Sequence, residues 1–404
     1  MATQIVVIGA GFAGLMAARR LAWRTTGSNI TLVNGTEHFI ERLRLHQFAA
    51  NQQIGQRLLS DILRGTGVSF VRGWVTALHP DQRTITVQTD SGDRQIGYDY
   101  LVYALGSTID RDSVPGVREH AYVLTPSGEK SAAALREVLP KLNAIGGSVL
   151  IAGGGATGIE AAAEFAESYP NLRVRLVTQG EFGTFINQKV AAYMERTLRR
   201  SGIIVQDRTT IAEIRANEAL TSTGDIIPFD LCLWTGGFRA LTLPQEAGLA
   251  VNELGQILTD PFMRSISHPE IYAAGDAAQP VEEPGVPYRM SAFTALVTGR
   301  HVAESLSAIL RRQQPNPLSF AYYGQAIGLG RHDAIFFTIY PADKARPPYL
   351  TGWLGHRLRE FFVNFAVALP RMERRPGLLY VMGQGRYAAT KRRLSRLKQN
   401  EQRA

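Results

Sequence analysis

Cysteine is almost absent: of 404 residues only Cys232 carries a thiol. That excludes an internal disulfide framework, a CxxC redox pair and a cysteine-rich metal site, and it makes the cytoplasm the default compartment. No apolar run of about 18 residues occurs, so no transmembrane helix is expected. The opening, MATQIVVIGAGFAG, enters a strand-and-glycine pattern with neither a basic leader nor a cleavable apolar core. Acidic residues are scarce at the other end, where residues 371–404 hold ten Lys/Arg against Glu373 and Glu401 and so account for nearly all of the formal charge of +9. A solvated helical face and attraction to an anionic surface are the two readings of such a tail. Nucleic acid is disfavoured, because no recognition motif or aromatic-basic platform accompanies the charge.

What is present is a repeat. The composition, 45% hydrophobic and 20% charged, is that of a folded chain long enough for two or three domains. Ile5-Val6-Val7-Ile8-Gly9-Ala10-Gly11-Phe12-Ala13-Gly14 returns as Val149-Leu150-Ile151-Ala152-Gly153-Gly154-Gly155-Ala156-Thr157-Gly158, each glycine displaced by 144 positions. A helix-like stretch and then a β-branched strand follow both copies, ending at Asn34 and Thr178. In such a unit the first glycine makes a tight turn, the second admits a diphosphate, and the third lets helix and strand pack closely. The diphosphate meets the free N–H groups of the helix start, at Phe12 and Ala13 in one copy and Ala156 and Thr157 in the other. The expectation is therefore an α/β protein with two Rossmann-like dinucleotide-binding units.

Both copies lack the acidic residue that usually ends the second strand and accepts from ribose hydroxyls. Asn34 can still accept through its amide oxygen. Thr178 removes a carboxylate that would repel a 2′-phosphate, and Arg173 and Arg175 lie on the same strand, so NADPH is admitted beside NADH; Glu181, three residues on, favours NADH.

The pattern resembles the two-dinucleotide-binding-domain flavoproteins of the pyridine nucleotide-disulfide oxidoreductase superfamily, in particular the type II NADH dehydrogenase-like branch, over about residues 1–330. Tyr98-Asp99-Tyr100-Leu101-Val102-Tyr103-Ala104-Leu105-Gly106 and Phe229-Asp230-Leu231-Cys232-Leu233-Trp234-Thr235-Gly236-Gly237 are similar to the family's two returning strands. Pro269-Glu270-Ile271-Tyr272-Ala273-Ala274-Gly275-Asp276 is similar to the segment whose aspartate holds the FAD ribityl chain. The resemblance implies FAD at the first loop and NADH or NADPH at the second, with the NAD(P)H domain (113–261) inserted in an FAD domain (1–112 and 262–330). It also implies FAD contacts from Arg42 and from the backbone of Val75, cofactor contacts from Ala104, Gly106, Gly237 and Gly275, and a helix from Ser291 through Gly299 aimed at the flavin pyrimidine. Glu160, two residues past Gly158, falls at the family's GxE position near the nicotinamide and is the candidate catalytic carboxylate. A carboxylate balancing its own helix start is the alternative.

Two departures narrow the reaction. The family's CxxxxC is missing, so dithiol exchange is excluded. The glutamines of the quinone-reducing branch are replaced by Phe293 and Val297, which predicts an apolar acceptor site. Residues 331–404 form a C-terminal accessory region, in which Leu354, Leu358, Phe361, Phe362, Phe365 and Leu369 mark an amphipathic helix interrupted at Pro370 and Pro376-Gly377. Its apolar face has three destinations: the protein body, a second copy in a homodimer, or a membrane surface. The expected activity is hydride transfer from NAD(P)H through FAD to a small quinone-like acceptor. A flavin-dependent oxidase or dehydrogenase of a specialised metabolite and a redox-sensing nucleotide-binding protein are the alternatives.

Overall fold

The computed structural model describes residues 2–280, 289–318, 324–339 and 345–372. Strand β1 (Thr3–Ile8) runs into helix α1 (Phe12–Arg24), followed by β2 (Ser28–Asn34), β3 (Ser69–Arg72) and β4 (Tyr100–Tyr103). The chain then lays down β5 (Ala121–Tyr122), β6 (Ser148–Ala152), α2 (Ala156–Ser168), β7 (Arg173–Val177), β8 (Ile204–Gln206) and β9 (Leu231–Trp234) before β10 (Ile271–Ala273) and α3 (Ala292–Leu310). Two parallel sheets result, ordered β10-β4-β1-β2-β3 and β5-β9-β6-β7-β8. In each the returning strand pairs with the first on the side opposite the second, the pattern that leaves a crevice at the carboxyl ends of the strands.

The repeat extends to details outside the glycines. Asp99 Oδ2 accepts from the backbone N–H of Gln4 at 2.7 Å, and Asp230 Oδ2 accepts from that of Ser148 at 2.7 Å. Each aspartate thus ties the start of the returning strand to that of the first. The strands read as apolar runs because helices cover both faces: Ile5, Val7 and Ile8 in one sheet and Ile151 and Leu233 in the other are completely buried. Cys232 lies inside the second sheet, where burial pushes its thiol up to about 12 and leaves it unreactive.

Helix α3 crosses α1 at very short range. A Cβ on Gly299 would fall on the carbonyl oxygen of Ala13 and within 2.7 Å of Ala13 Cα, so only glycine fits at the crossing. Arg20 and Arg24 of α1 clamp Glu304 of α3, Arg24 at 3.0 Å. The helix runs to Leu310, well past the Gly299 expected from sequence. Strand β3 ends just before Gly73, where a Cβ would meet Val87 Cγ1 at 2.5 Å, and Val75 joins an antiparallel sheet of Trp74–His79, Thr84–Thr89 and Gly92–Gly97.

A second antiparallel sheet, Gly324–Gly328, Ala334–Ile339 and Ala345–Leu350, precedes helix α4 (Gly352–Ala368). The amphipathic helix is present, and of the destinations open to its apolar face the protein body takes only part. Gly355, Arg359 and Val367 are its buried residues, whereas Trp353, Leu354 and Phe361 are 67%, 53% and 60% exposed. Pro370 begins to close it in a single 3-10 turn; Pro376-Gly377 and the basic tail beyond Met372 lie outside the described residues.

Candidate cofactor and catalytic site

Helices α1 and α2 start without a side-chain cap, at Gly11 and Gly155. The helices 132–144 and 188–200 and α3 are capped by Ser131, Asn187 and Ser291. Leaving the N–H groups of a helix start unpaired is costly unless a ligand takes them. The glycines divide the labour identically in both units. A Cβ on Gly9 would collide with the carbonyl oxygen of Ala104, and one on Gly153 would reach Thr235 Oγ1 at 2.5 Å, with φ of 94° and 128°. Cβ atoms on Gly14 and Gly158 would strike the carbonyls of Gly9 and Gly153. At Gly11 and Gly155 a Cβ would meet nothing within 4 Å. Two positions lock the fold and the third opens a space, as a diphosphate requires.

The remaining residues of the first site converge on that space. Asn34 Oδ1 accepts from Ala10 N at 2.9 Å, so the amide expected to read ribose also closes the glycine loop. The Phe12 ring is buried edge-on against Phe39, centroids 5.0 Å apart, which leaves its backbone as the part that faces the loop. Arg42 donates to the Ser107 carbonyl at 2.7 Å and passes beside Gly106. Desolvation pulls its pKa down against the pull of Asp276. Asp276 follows Gly275, whose φ of 71° sets the turn, and accepts from Ser107 Oγ at 2.6 Å. Its other oxygen, Oδ1, is buried with no side-chain or backbone partner assigned among the described residues, and burial pushes the carboxyl above its usual range despite Ser107, Arg42 and the backbone of Ser291. A buried orphan acceptor at this place suits a ligand hydroxyl. The residues present therefore fit FAD.

Not every expected residue reaches its site. Arg173 stands at the start of β7, opposite Ser148, and Arg175 is spent on Gln206 Oε1 at 2.8 Å. The glycine loop is at the other end of that strand from Arg173, which therefore cannot serve a 2′-phosphate. Thr178 does abut the loop, with its Oγ1 2.5 Å from where a Gly154 Cβ would be. Gly237, with φ of 73°, follows the returning strand β9. Of the two acceptor-site candidates on α3, Phe293 is half-buried, but Val297 is 6% exposed and belongs to the first core, so it lines no open site.

Glu160 occupies the start of α2, and its surroundings come from far along the chain. Its Oε1 accepts from Arg359 Nε at 2.9 Å and from Gly328 N at 3.0 Å. Burial alone would push this carboxyl up; Arg359, His46 and the Gly328 N–H hold it below the usual carboxylate range. Glu164 and Glu167, on the same helix face, bind the same hairpin: Glu164 meets Arg331 Nε at 3.3 Å and Glu167 accepts from Arg331 N at 2.6 Å. Arg359 is 4% exposed and also meets Glu360 at 2.7 Å and His46 Nε2 at 3.4 Å. His46 is buried, and desolvation pulls its pKa down to about 4, so it is neutral near pH 7. Sequence reasoning missed the roles of Arg359 and Ser107; the signal for Arg359 was its place in the 355-359-363-367 stripe.

Two nucleotide loops on paired sheets, with a carboxylate poised at each, define an FAD- and NAD(P)H-binding oxidoreductase. Residues 3–299 match the profile described as pyridine nucleotide-disulphide oxidoreductase, and the chain belongs to that family. It is 28% identical over 356 residues to an NADH dehydrogenase-like protein of Mycobacterium tuberculosis, covering 83% of this chain and 87% of the relative. It is 28% identical over 420 residues to the alternative NAD(P)H-ubiquinone oxidoreductase C1 of Arabidopsis thaliana, covering 92% and 79%. Among solved structures, the sulfide:quinone oxidoreductase of Aquifex aeolicus superposes with a TM-score of 0.77 at 19% identity, over 92% of both chains. NDH2 from Plasmodium falciparum in complex with NADH superposes with 0.76 at 14% identity, over 92% and 98%. These two show the fold.

Proposed function

We propose that the chain passes hydride from NAD(P)H through FAD to a quinone-like acceptor. The observation that carries this reading is the pair of uncapped, open glycine loops, the first with Gly275 packed beside Ala13 and Asp276 next in the chain. We assign FAD to a domain of residues 1–112 and 262–330, NAD(P)H to residues 113–261, and an accessory role to 331–404. Bound flavin supplies the two-electron chemistry. The chain orients it: helix start α1 takes the diphosphate, Asn34 holds the loop closed, Asp276 accepts from the ribityl chain, and Arg42 neutralises nearby negative charge.

At the second site α2 takes the other diphosphate, with Gly155 leaving room for it. Glu160 is the candidate catalytic group, held ionised by Arg359, with Oε1 committed to Arg359 and the Gly328 N–H. Phe293 lines the acceptor face. The names of the relatives, an NAD(P)H-ubiquinone oxidoreductase and, at 26% identity, a demethylphylloquinone reductase of Synechocystis, support the acceptor class. The outward aromatic face of α4 supports contact with a membrane surface. No helix among the described residues is long and apolar enough to cross one.

The test is anaerobic mixing of the FAD-loaded protein with NADH or NADPH, followed at the visible flavin band, and then with a short-chain quinone. Rapid bleaching followed by quinone-dependent recovery is expected. Flavin that neither nucleotide bleaches would sink the proposal in favour of direct oxidation of a metabolite.

A further inference from the structure

The rim of the second nucleotide site has no carboxylate at the end of β7, yet it carries charge of both signs. Thr178 lies against Gly154, and the loop after β8 closes on the same rim: Thr209 N donates to Thr178 O and Arg208 N to Gly180 O, both at 3.0 Å. Arg208 is held in left-handed backbone, φ 49°. From there its Nη2 reaches Glu181 Oε2 at 2.9 Å, with the two side chains 70% and 61% exposed. Asp207 beside it is turned to Phe182 N, at 3.4 Å. The glycine loop, the end of β7 and this exposed ion pair are thus contiguous.

We propose that Arg208 selects the nicotinamide dinucleotide, its guanidinium binding the 2′-phosphate of NADPH while Glu181 competes for it and keeps NADH acceptable. The proposal rests on the reading that NAD(P)H occupies the second loop. A guanidinium fork matches a phosphate dianion. An exposed pair is weakly held, so Arg208 exchanges partners readily. Glu181 lies in the reach of the same fork and repels the phosphate, which sets the preference without a residue at position 178. Arg173, at the opposite end of β7, takes no part, and Arg175 is held by Gln206 Oε1 at 2.8 Å.

The experiment is calorimetric titration of the FAD-loaded full-length protein with NADP+, NAD+, 2′,5′-ADP and 5′-AMP. The variants are R208N, since asparagine tolerates left-handed backbone, and E181Q. R199Q is a control, because Arg199 pairs with Glu195 at 2.8 Å on the exposed end of the helix 188–200. R208N should weaken NADP+ and 2′,5′-ADP by roughly tenfold or more and leave NAD+ and 5′-AMP within about threefold. E181Q should tighten the phosphorylated pair by roughly five- to tenfold, and R199Q should change neither pair. Equal losses for both pairs in R208N, or no loss in either, overturn the proposal. Binding of NAD+ but not NADP+ by wild type and E181Q overturns it while the second-site assignment stands; binding of none of the four ligands by wild type overturns both.

Discussion

Arg359 places Nε at 2.9 Å and Nη2 at 2.8 Å from one oxygen of Glu160, joining the last described helix to the start of the second nucleotide helix. Because both groups are buried, removing one leaves the other uncompensated. R359M should destabilise the protein by about 3–5 kcal/mol, and R359M/E160Q should recover most of that loss, since the double change leaves no unpaired charge at position 160 and Glu360 keeps Arg44 at 3.0 Å. Chemical denaturation of the three proteins measures both values; a double variant as unstable as R359M would refute the coupling.

The buried histidines predict loss of stability in mild acid. His301 and His46 are each held down to about 4 by burial, against 6.5 when exposed. The unfolded chain therefore takes up protons below about pH 6.5 that the folded chain refuses until about pH 4, and stability falls as pH falls across that window. The loss approaches roughly 3 kcal/mol per histidine at its lower end. His301 is the cleaner probe, because His46 also feels Glu160 and Arg359. H301N should flatten its share of the slope in denaturation curves taken between pH 7 and pH 4.

The glycines should separate by role. G14A and G158A have no room for a methyl group and should fail to fold or lose several kcal/mol, as overpacked positions do. G11A and G155A have room and ordinary negative φ, −75° and −76°. G11A should therefore melt like the wild-type apoprotein while losing FAD, and G155A should keep FAD while its KM for NAD(P)H rises roughly tenfold or more. Flavin content and KM check this; G155A with wild-type KM would remove the diphosphate from α2.

The aromatic face of α4 should bind lipid. Replacing Trp353 and Phe361 by serine removes the two most exposed rings of that face and should abolish cosedimentation with anionic vesicles. Stability should move by no more than about 0.5 kcal/mol, since neither side chain is in a core. Unchanged sedimentation would move the contact elsewhere.

The nucleotide loops were legible in sequence because their chemistry is local: three glycines, a strand and a helix fix one another within ten residues, and Asp276 came with its own turn. The C-terminal helix was legible as a helix, but which way its apolar face turns was not, for the opposite reason. Its spacing was helical, but the choice of inner face depended on Glu160, which sits almost 200 positions earlier and draws a guanidinium inward past the aromatics. Arg173 was misplaced because a strand advances about 3.3 Å per residue, which puts Arg173 roughly 16 Å from Thr178. Arg208 went unnoticed because no motif surrounds it; only the closure of two loops brings it beside Glu181. Val297 was read from its alignment position alone, and the turn of α3 faces it into the core.

The Arg359–Glu160 contact also sets an order of events at birth. Residue 160 leaves the ribosome well before residue 359, by roughly 10 to 40 seconds at ordinary synthesis rates, and for that interval the second nucleotide unit holds a carboxylate whose counterion does not yet exist. A nascent chain cannot finish its interior before its end arrives. Any message truncated ahead of α4 would yield two recognisable nucleotide folds and an unneutralised charge between them, a product that cellular quality control could distinguish from the complete protein.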